Sequence, residues 1–233
     1  HIQDATTPHQ NRTPKPYRKM FHIDVGKLIS SELRVYMNHL PDTRIHLAED
    51  RIFYYRDSVY SNYSGDGLKL ALAFQREVIN NIINSVQPDL IHCNDWMTGL
   101  IPAMARRRNI PCLFTVHNIH TQEITLETIE NAGMDAAEFW DQLYYKRPPL
   151  NYEETRSSNP VNLLGSGIFA AHFINTVSPT FLNEIVSGMH NIPNDIRCEI
   201  ANKMNAGCAA GILNAPDETY NPETDNALLA KTN

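Results

Sequence analysis

The chain has 233 residues, and its 20 Lys and Arg against 26 Asp and Glu give a net charge of −6 at pH 7. At about 150 residues per domain this length suits one large domain, or one domain and part of another, and the acidic balance argues against a nucleic-acid-binding protein. Glycine is scarce, with ten residues, or about 4% against an average of about 7%, so glycine-rich phosphate loops are not expected.

The first 86 residues begin with an irregular stretch. Prolines restrict residues 1–20 to a loop or an edge segment, because the residue before a proline avoids the helical conformation. We predict a helix over Val25–Asn38 and strands over Arg44–Ala48 and Arg51–Tyr55. A longer helix should run from an Asp66 cap to Val86. Its predicted buried face consists of apolar residues at every fourth position: Leu70, Phe74, Val78, Ile82 and Val86.

From residue 88 onwards, short apolar strands alternate with helices. The predicted strands are Pro88–His92, Pro111–Val116, His172–Val177 and Gly211–Leu213. The predicted helices are Trp96–Arg108, Val161–Ala171 and one that begins at Pro179 with Ser178 as its cap. This alternation is typical of βαβ units, so the predicted fold class is α/β, a Rossmann-like, doubly wound parallel sheet.

Residues 121–159 interrupt the alternation. We predict helices over Leu126–Asn131 and Ala136–Leu143, followed by a polar loop that contains Pro148 and Pro149. An insertion of this length after a sheet strand usually lies over the carboxyl ends of the strands, where open α/β sheets bind ligands.

The cysteines and the ends of the chain bear on its location. The four cysteines form no C-x-x-C pair, which favours reduced thiols over a disulfide framework. We find no signal-peptide pattern and no apolar run long enough to cross a bilayer, so we expect a cytoplasmic protein with no membrane partner. The first residue is not Met, so we expect that the numbering starts inside a longer product.

Three strand ends carry polar residues that a parallel sheet would bring to one crevice. The first holds Asn94 and Asp95, the second His117 and Asn118, and the third ends at Ser178. Asn, Asp and Ser are common helix caps, so a capping role competes with binding at the first and third ends. After His117 and Asn118 no helix starts at once, so binding is there about as probable as a structural role.

Other site types find little support in the sequence. His117 and His120 stand three apart, but a zinc site needs a third ligand and none is nearby, so no metal is predicted. The string Leu164–Gly167 lacks the spacing of a G-x-S-x-G nucleophile elbow. Neither G-x-G-x-x-G nor G-x-x-x-x-G-K-[ST] occurs, and no cofactor is predicted.

Four strings resemble segments of bacterial glycogen synthases and plant starch synthases. PDLIHCNDWMTGLIP at 88–102 is similar to their PDxxHxHDWHTxLxP, and FTVHNI at 114–119 to FTxHNL. NLLGSGI at 162–168 with NTVSPT at 175–180 resembles NxLKxGIxxADxxNTVSPT. GILN at 211–214 with YNPETD at 220–225 resembles GILNGIDxxxWNPxTD.

The resemblance implies a retaining glucosyltransferase of the two-domain GT-B type, which extends an α-1,4-glucan from ADP-glucose or UDP-glucose. Residues 1–213 are then the N-terminal, acceptor-side lobe, and residues 214–233 are a crossover towards a C-terminal GT-B domain. The family holds the diphosphate with a KxGGL loop and with that second domain, and neither occurs in this sequence. We therefore expect the isolated chain to be inactive.

The resemblance also implies roles for single residues. His117 is the expected catalytic residue, and the expected substrate-binding residues are Asn118, Asp95, Met97, Gln122 and Ser178. The sequence departs from the family pattern at four positions: Asn94, Met97, Glu123 and Pro216. The alternatives are a catalytically weak relative that binds glucan or a partner, and another GT-B sugar transferase of the sucrose or trehalose type.

Overall fold

The computed structural model of the chain describes residues 2–4, 46–48, 50–53 and 65–215. The chain divides into two compact units, residues 1–77 and residues 78–233. The predicted helix over Val25–Asn38 and the predicted crossover beyond residue 215 lie outside the described residues. The predicted boundary between residues 213 and 214 stays a prediction.

The described part of the first unit contains a small antiparallel pair of strands. Strand β1 (Ile2–Asp4) pairs with β2 (His46–Ala48), and Gln3 lies opposite Leu47. The predicted strand at Arg44–Ala48 is therefore confirmed over His46–Ala48, and its first two residues lie outside the described residues. Residues 1–20 were predicted to form a loop or an irregular edge segment, and β1 within them is a regular edge strand, paired with β2 alone in its sheet.

The predicted strand at Arg51–Tyr55 is wrong for its first three residues, because Arg51–Phe53 forms a 3-10 turn. Asp50 causes the turn: its carboxylate accepts the Ile52 N–H at 2.9 Å, and its carbonyl accepts the Phe53 N–H at 3.0 Å. The bond from Ile52 and the ion pair with Arg76, at 2.7 Å, lower the pKa of the Asp50 carboxyl below its usual value.

A continuous helical run confirms the predicted helix from Asp66 to Val86. It consists of α1 (Asp66–Glu77), a π-helical segment (Val78–Ile82) and α2 (Ile83–Val86). The predicted buried face is wrong, since Phe74 and Val86 are 42% and 44% exposed. A spacing of four residues drifts by about 40° per step around a helix of 3.6 residues per turn, and the wider π turn at Val78–Ile82 interrupts this regular rotation. The buried residues are Ala71, Leu72, Ala73, Gln75, Glu77, Ile79 and Ile83.

The second unit is built on a four-stranded parallel sheet, as predicted. Its strands in chain order are β3 (Ile91–Asn94), β4 (Cys112–Val116), β7 (Phe173–Thr176) and β8 (Ala209–Gly211), and they are neighbours in that order. A separate antiparallel pair joins β5 (Glu123–Ile124) to β6 (Val161–Asn162). The strand order does not reverse within the described residues. The last strand starts and ends two residues earlier than predicted, and β3 starts three and ends two residues later than predicted.

Helices connect the strands of the second unit. They are α3 (Ile101–Arg107), α4 (Leu126–Asn131), α5 (Tyr152–Ser158), α6 (Leu163–Ala170), α7 (Pro179–Val186) and α8 (Asn194–Asn205). The predicted helices at Leu126–Asn131 and from Pro179 are confirmed. Predicted helix Trp96–Arg108 is instead a 3-10 turn (Trp96–Thr98) followed by α3, and predicted helix Val161–Ala171 starts with β6.

Two predictions within the insertion are wrong. Ala136–Leu143 forms two 3-10 turns, Ala136–Glu138 and Trp140–Gln142, because the buried Phe139 between them has a φ of −138° and breaks the helical path. The predicted loop after Pro149 contains α5, whose first turn is capped by Asn151. The side chain of Asn151 accepts the Glu154 N–H at 2.9 Å.

One face of the parallel sheet carries the core of the second unit. Its inward-facing residues include Cys93, Phe114 and Ile174, all at most 2% exposed. A hydrogen bond with the neighbouring Cys112, and then burial, raise the pKa of the Cys93 thiol, so it is not a reactive thiolate. No helix in the described part of the chain is long and apolar enough to cross a membrane.

Candidate active site

The polar strand ends lie at the carboxyl edge of the parallel sheet. Residue Asn94 ends β3, and Val116 ends β4 directly before His117. In the sheet register Asn94 lies opposite Thr115, so the residues that follow the two strands are neighbours. The predicted convergence of the first two strand ends is confirmed.

Asp95 joins these two strand ends. Its carboxylate accepts the His117 N–H at 2.8 Å and lies 3.4 Å from the Asn118 side-chain amide nitrogen. Its own N–H donates to the Thr115 carbonyl at 2.9 Å. The residue is 8% exposed, so its charge is held by these donors rather than by water. We refer to Asp95, His117 and Asn118 as the Asp95 cluster.

The backbone of Asp95 is strained. Its φ is +55° and its ψ is 179°, a combination that glycine adopts readily and other residues rarely. This conformation begins the 3-10 turn that carries Met97, which is half-buried. Thr98 closes the turn, because its hydroxyl accepts the Asn94 N–H at 2.8 Å. Strain and side-chain bonds together divide the predicted helix into a turn and α3.

His117 presents an exposed imidazole next to Asn94. Its Nε2 lies 3.0 Å from Asn94 Oδ1, and because an amide oxygen can only accept, Nε2–H is the donor. In the neutral ring Nδ1 then remains an acceptor. Asn94 stands where the resembled family has histidine, and here its amide orients the ring of His117.

Asn118 is half-buried, and both ends of its amide face protein groups. Its nitrogen faces Asp95, and its Oδ1 accepts the His120 N–H at 2.9 Å, which turns the chain after β4. Asn118 is therefore rigid, and its first function is to hold the loop beside the sheet edge.

A second polar row crosses the sheet next to the Asp95 cluster. His92 Nε2 lies 2.7 Å from the Thr115 hydroxyl, and that hydroxyl donates to Asn175 Oδ1 at 2.6 Å. Sequence reasoning assigned no role to Thr115, because a threonine inside an apolar strand reads as an ordinary strand residue. In the sheet register Thr115 lies opposite Asn175, and His92 lies opposite Leu113, two residues before Thr115, so all three side chains are on the same face of the sheet. This register is not visible in the sequence.

The other two predicted substrate contacts have their hydrogen bonds elsewhere. The Ser178 hydroxyl oxygen caps α7 by accepting the Phe181 N–H at 2.9 Å. Ser178 therefore has the capping role that the sequence analysis weighed against substrate binding. The Gln122 side chain is exposed, and the main-chain carbonyl of Gln122 accepts the Leu163 N–H at 3.0 Å. Within the described residues no hydrogen bond joins either of them to the Asp95 cluster. Their substrate roles stay predictions.

Several other groups surround the turn. Gly99 lies so close to α6 that a Cβ atom there would be 2.0 Å from the Leu163 carbonyl oxygen. The start of α6 is fixed by Asn162, whose Oδ1 accepts the Gly165 N–H at 2.8 Å and the Thr121 hydroxyl at 2.9 Å.

No group of three or more His, Cys, Asp or Glu in the described part of the chain could hold a metal ion.

Comparisons with known proteins point to one family. A family model for the starch synthase catalytic domain matches residues 3–197. Glycogen synthase from Bacillus subtilis is 25% identical over 96% of the chain and 46% of its own length. Glycogen synthases from Geotalea uraniireducens and Fervidobacterium nodosum are each 30% identical, over 81% and 88% of the chain and 39% and 42% of their own lengths. The chain thus spans less than half the length of these relatives.

A solved structure has the same fold. It is the catalytic domain of starch synthase IV from Arabidopsis thaliana, bound to ADP and acarbose. The match covers 78% of this chain and 37% of that chain, with a TM-score of 0.56. At 22% identity this likeness concerns the fold alone. It agrees with the predicted α/β class and GT-B fold, and the N-terminal position of the lobe stays a prediction.

Proposed function

Because the chain belongs to the starch synthase catalytic-domain family, we propose that it is the N-terminal, acceptor-side part of a retaining glucosyltransferase. The enzyme extends an α-1,4-glucan from ADP-glucose or UDP-glucose, in glycogen or starch synthesis. A C-terminal GT-B domain completes the site and holds the nucleotide diphosphate. The matched relatives are more than twice as long as the chain, which supports a further domain.

The single observation that supports this function most is the Asp95 cluster at the carboxyl edge of the sheet. It joins two of the four strings that resemble the family, and it fixes the backbone after both strands. Such rigid polar groups can hold a sugar in a reactive orientation, which is the main requirement of glycosyl transfer apart from neutralising the leaving diphosphate.

In this proposal His117 contacts the donor glucose. Nε2–H is engaged by Asn94, so Nδ1 accepts a hydrogen bond from a sugar hydroxyl. Met97 has no donor to replace the family histidine at its position, and its backbone carbonyl supplies the remaining polar contact. Ser178 keeps a hydroxyl hydrogen free to donate, since only its oxygen is used in the cap.

The test is incorporation of labelled glucose into glycogen by the full-length protein, with ADP-glucose and UDP-glucose in parallel. Replacing the ring, His117→Ala, should lower turnover at least about tenfold, or about 1.4 kcal/mol in the barrier, because the donor sugar loses its contact. His120→Ala removes an exposed ring three residues away and should leave turnover unchanged. Normal turnover of His117→Ala would assign the residue a purely structural role.

The same assay distinguishes the alternative function. A relative that only binds glucan or a partner would retain glycogen without incorporating glucose from either donor. The glycogen synthase relatives favour the enzyme. The 233-residue chain alone should incorporate no glucose, and incorporation by it would contradict the proposed need for a C-terminal domain. The cytoplasmic location rests on the cysteine spacing and is part of this proposal.

A further inference from the structure

A cavity of about 500 Å³ opens at the amino-terminal edge of the parallel sheet. Its lining residues are Arg106, Arg107, Asn109, Gln142 and His172. The two arginines end α3 just before β4 begins, and His172 directly precedes β7. With five residues in β4 and about 3.3 Å of rise per residue, the cavity is about 13 Å from the carboxyl edge. It is separate from the Asp95 cluster.

The lining of this cavity contains basic and amide groups and no carboxylate. Among the described residues no ion pair joins Arg106 or Arg107 to an acidic side chain. The next residue, Arg108, shows the contrast, since it pairs with Glu138 at 3.3 Å. The positive charge at the cavity is therefore not balanced by carboxylates in the part of the chain that the structure describes.

Helix ends explain only part of this charge. The carbonyls at a helix C-terminus attract cations, and Arg106 donates to the Phe169 carbonyl at 3.0 Å while Lys203 donates to the Ala171 carbonyl at 2.8 Å. These two side chains satisfy the end of α6. Arg107 has no comparable hydrogen bond within the described ranges. Its guanidinium is an additional charge that the fold does not use.

His172 adds a neutral donor. Its Nδ1 accepts the Cys112 N–H at 3.2 Å, so in the neutral ring Nε2 carries the hydrogen. Burial, and then the charges of Arg106 and Lys203, lower the pKa of His172 below its usual value. Among the described residues, the acidic side chain that pairs with one of these basic groups is Glu199, which contacts Lys203 at 3.4 Å. An anion bound beside His172 would favour the protonated ring and so raise the pKa of His172.

We propose that this cavity binds a phosphorylated sugar. Arg107 and Arg106 contact the phosphate, since guanidinium groups match phosphate oxygens in charge and geometry, and His172 donates from Nε2. The amides of Asn109 and Gln142 recognise sugar hydroxyls. The volume lies in the range of small-molecule sites, about 300–1,000 Å³, and exceeds what inorganic phosphate needs. This site goes beyond the proposed glucosyl transfer.

The test is an NMR titration of the 233-residue chain, following the ring protons of His172. Inorganic phosphate and glucose 1-phosphate should each shift them saturably and raise the pKa of His172, and glucose should not. Glucose 1-phosphate should bind at least about threefold more tightly than phosphate, because the amides add hydrogen bonds to the sugar hydroxyls. Equal affinities for the two anions would overturn the sugar part of the proposal.

Two variants make the test specific. Arg107→Ala should weaken both anions about tenfold, the effect of losing a charged hydrogen bond, and Arg107→Lys should weaken them less. Arg147→Ala is the matched control, since the guanidinium of this exposed arginine donates to the Ser158 carbonyl and lies outside the cavity. Equal losses in Arg107→Ala and Arg147→Ala, or no saturable shift in the parent chain, would overturn the proposal.

Discussion

Asp95 shows how one residue combines strain with a binding geometry. Its backbone conformation costs about 1–3 kcal/mol for a residue other than glycine. The carboxylate offsets part of this cost, because it accepts the His117 N–H at 2.8 Å. A hydrogen bond to a charged group contributes about 1.5–3 kcal/mol. Strain retained at a sheet edge with exposed polar groups is typical of functional sites.

Asp95→Asn should separate positioning from folding. One amide oxygen still accepts the His117 N–H, but the new NH2 group faces the NH2 group of Asn118, and two donors cannot bond each other. We expect kcat of the full-length protein to fall at least about tenfold, a barrier change of about 1.4 kcal/mol. Urea unfolding should show a loss of no more than about 2 kcal/mol.

The control for this variant is Asp89→Asn, an exposed aspartate in the loop before β3, which should change neither kcat nor stability. Full turnover by Asp95→Asn would show that the charge of Asp95 is not needed to position the cluster.

At the scale of elements, the close contact between α6 and the sheet depends on Gly167. A Cβ atom there would lie 2.3 Å from Cζ of Phe114, whose ring is fully buried. Gly167→Ala should therefore reduce the free energy of unfolding by about 1–3 kcal/mol, as overpacked cores do. Gly67→Ala in α1 meets nothing within 4 Å and should stabilise the helix by up to about 1 kcal/mol.

Urea unfolding of both variants provides the measurement. A second variant tests the cause: Gly167→Ala combined with Phe114→Leu should recover part of the loss caused by Gly167→Ala, since a smaller side chain leaves room for the methyl group. If Gly167→Ala is as stable as the parent chain, the helix can move away from the sheet at no cost.

The sequence predicted those strands and helices that a motif of a few adjacent residues defines. The apolar strand before His117 and the Ser178–Pro179 helix start are examples. The buried face of the helical run from Asp66 to Val86 was only partly predictable: helix geometry gives the drift of a four-residue spacing, but no local motif indicates the π segment at Val78–Ile82. The cap at Asn151 was readable, but the preceding prolines suggested a loop.

The candidate site was predictable only in outline. The strand ends placed Asp95, His117 and Asn118 together, since parallel strands bring their carboxyl ends to one edge. The strained backbone of Asp95 and the row through Thr115 depend on contacts between distant segments. Sequence periodicity contains no information about such contacts.

At the scale of the whole molecule, the pH dependence of stability should include a contribution from His172. Its folded pKa lies below the ordinary value of 6.5, so below that pH the unfolded chain binds more protons than the folded chain. Stability should therefore fall as the pH drops from about 6.5, and this part of the loss should end below the folded pKa.

His172→Asn should flatten this dependence, because an amide oxygen can accept the Cys112 N–H without titrating. The measurement is the urea midpoint from about pH 8 to about pH 5 in phosphate-free buffer, a range that brackets the ordinary histidine pKa. His120→Asn, which removes an exposed ring, should keep the slope of the parent chain. A parent slope in His172→Asn would assign the dependence to other groups.

The bonds of the sheet edge join segments far apart in the chain. Asp95 and His117 are 22 residues apart, and Thr115 and Asn175 are 60 apart. No isolated segment can form these bonds, so the edge exists only when the sheet has assembled. A sugar that binds there binds the folded chain and not the unfolded one, and by mass action it must shift the folding equilibrium of the whole sheet. Binding at the site and folding of the sheet are therefore linked, so a rise in occupancy should appear as a higher resistance to unfolding.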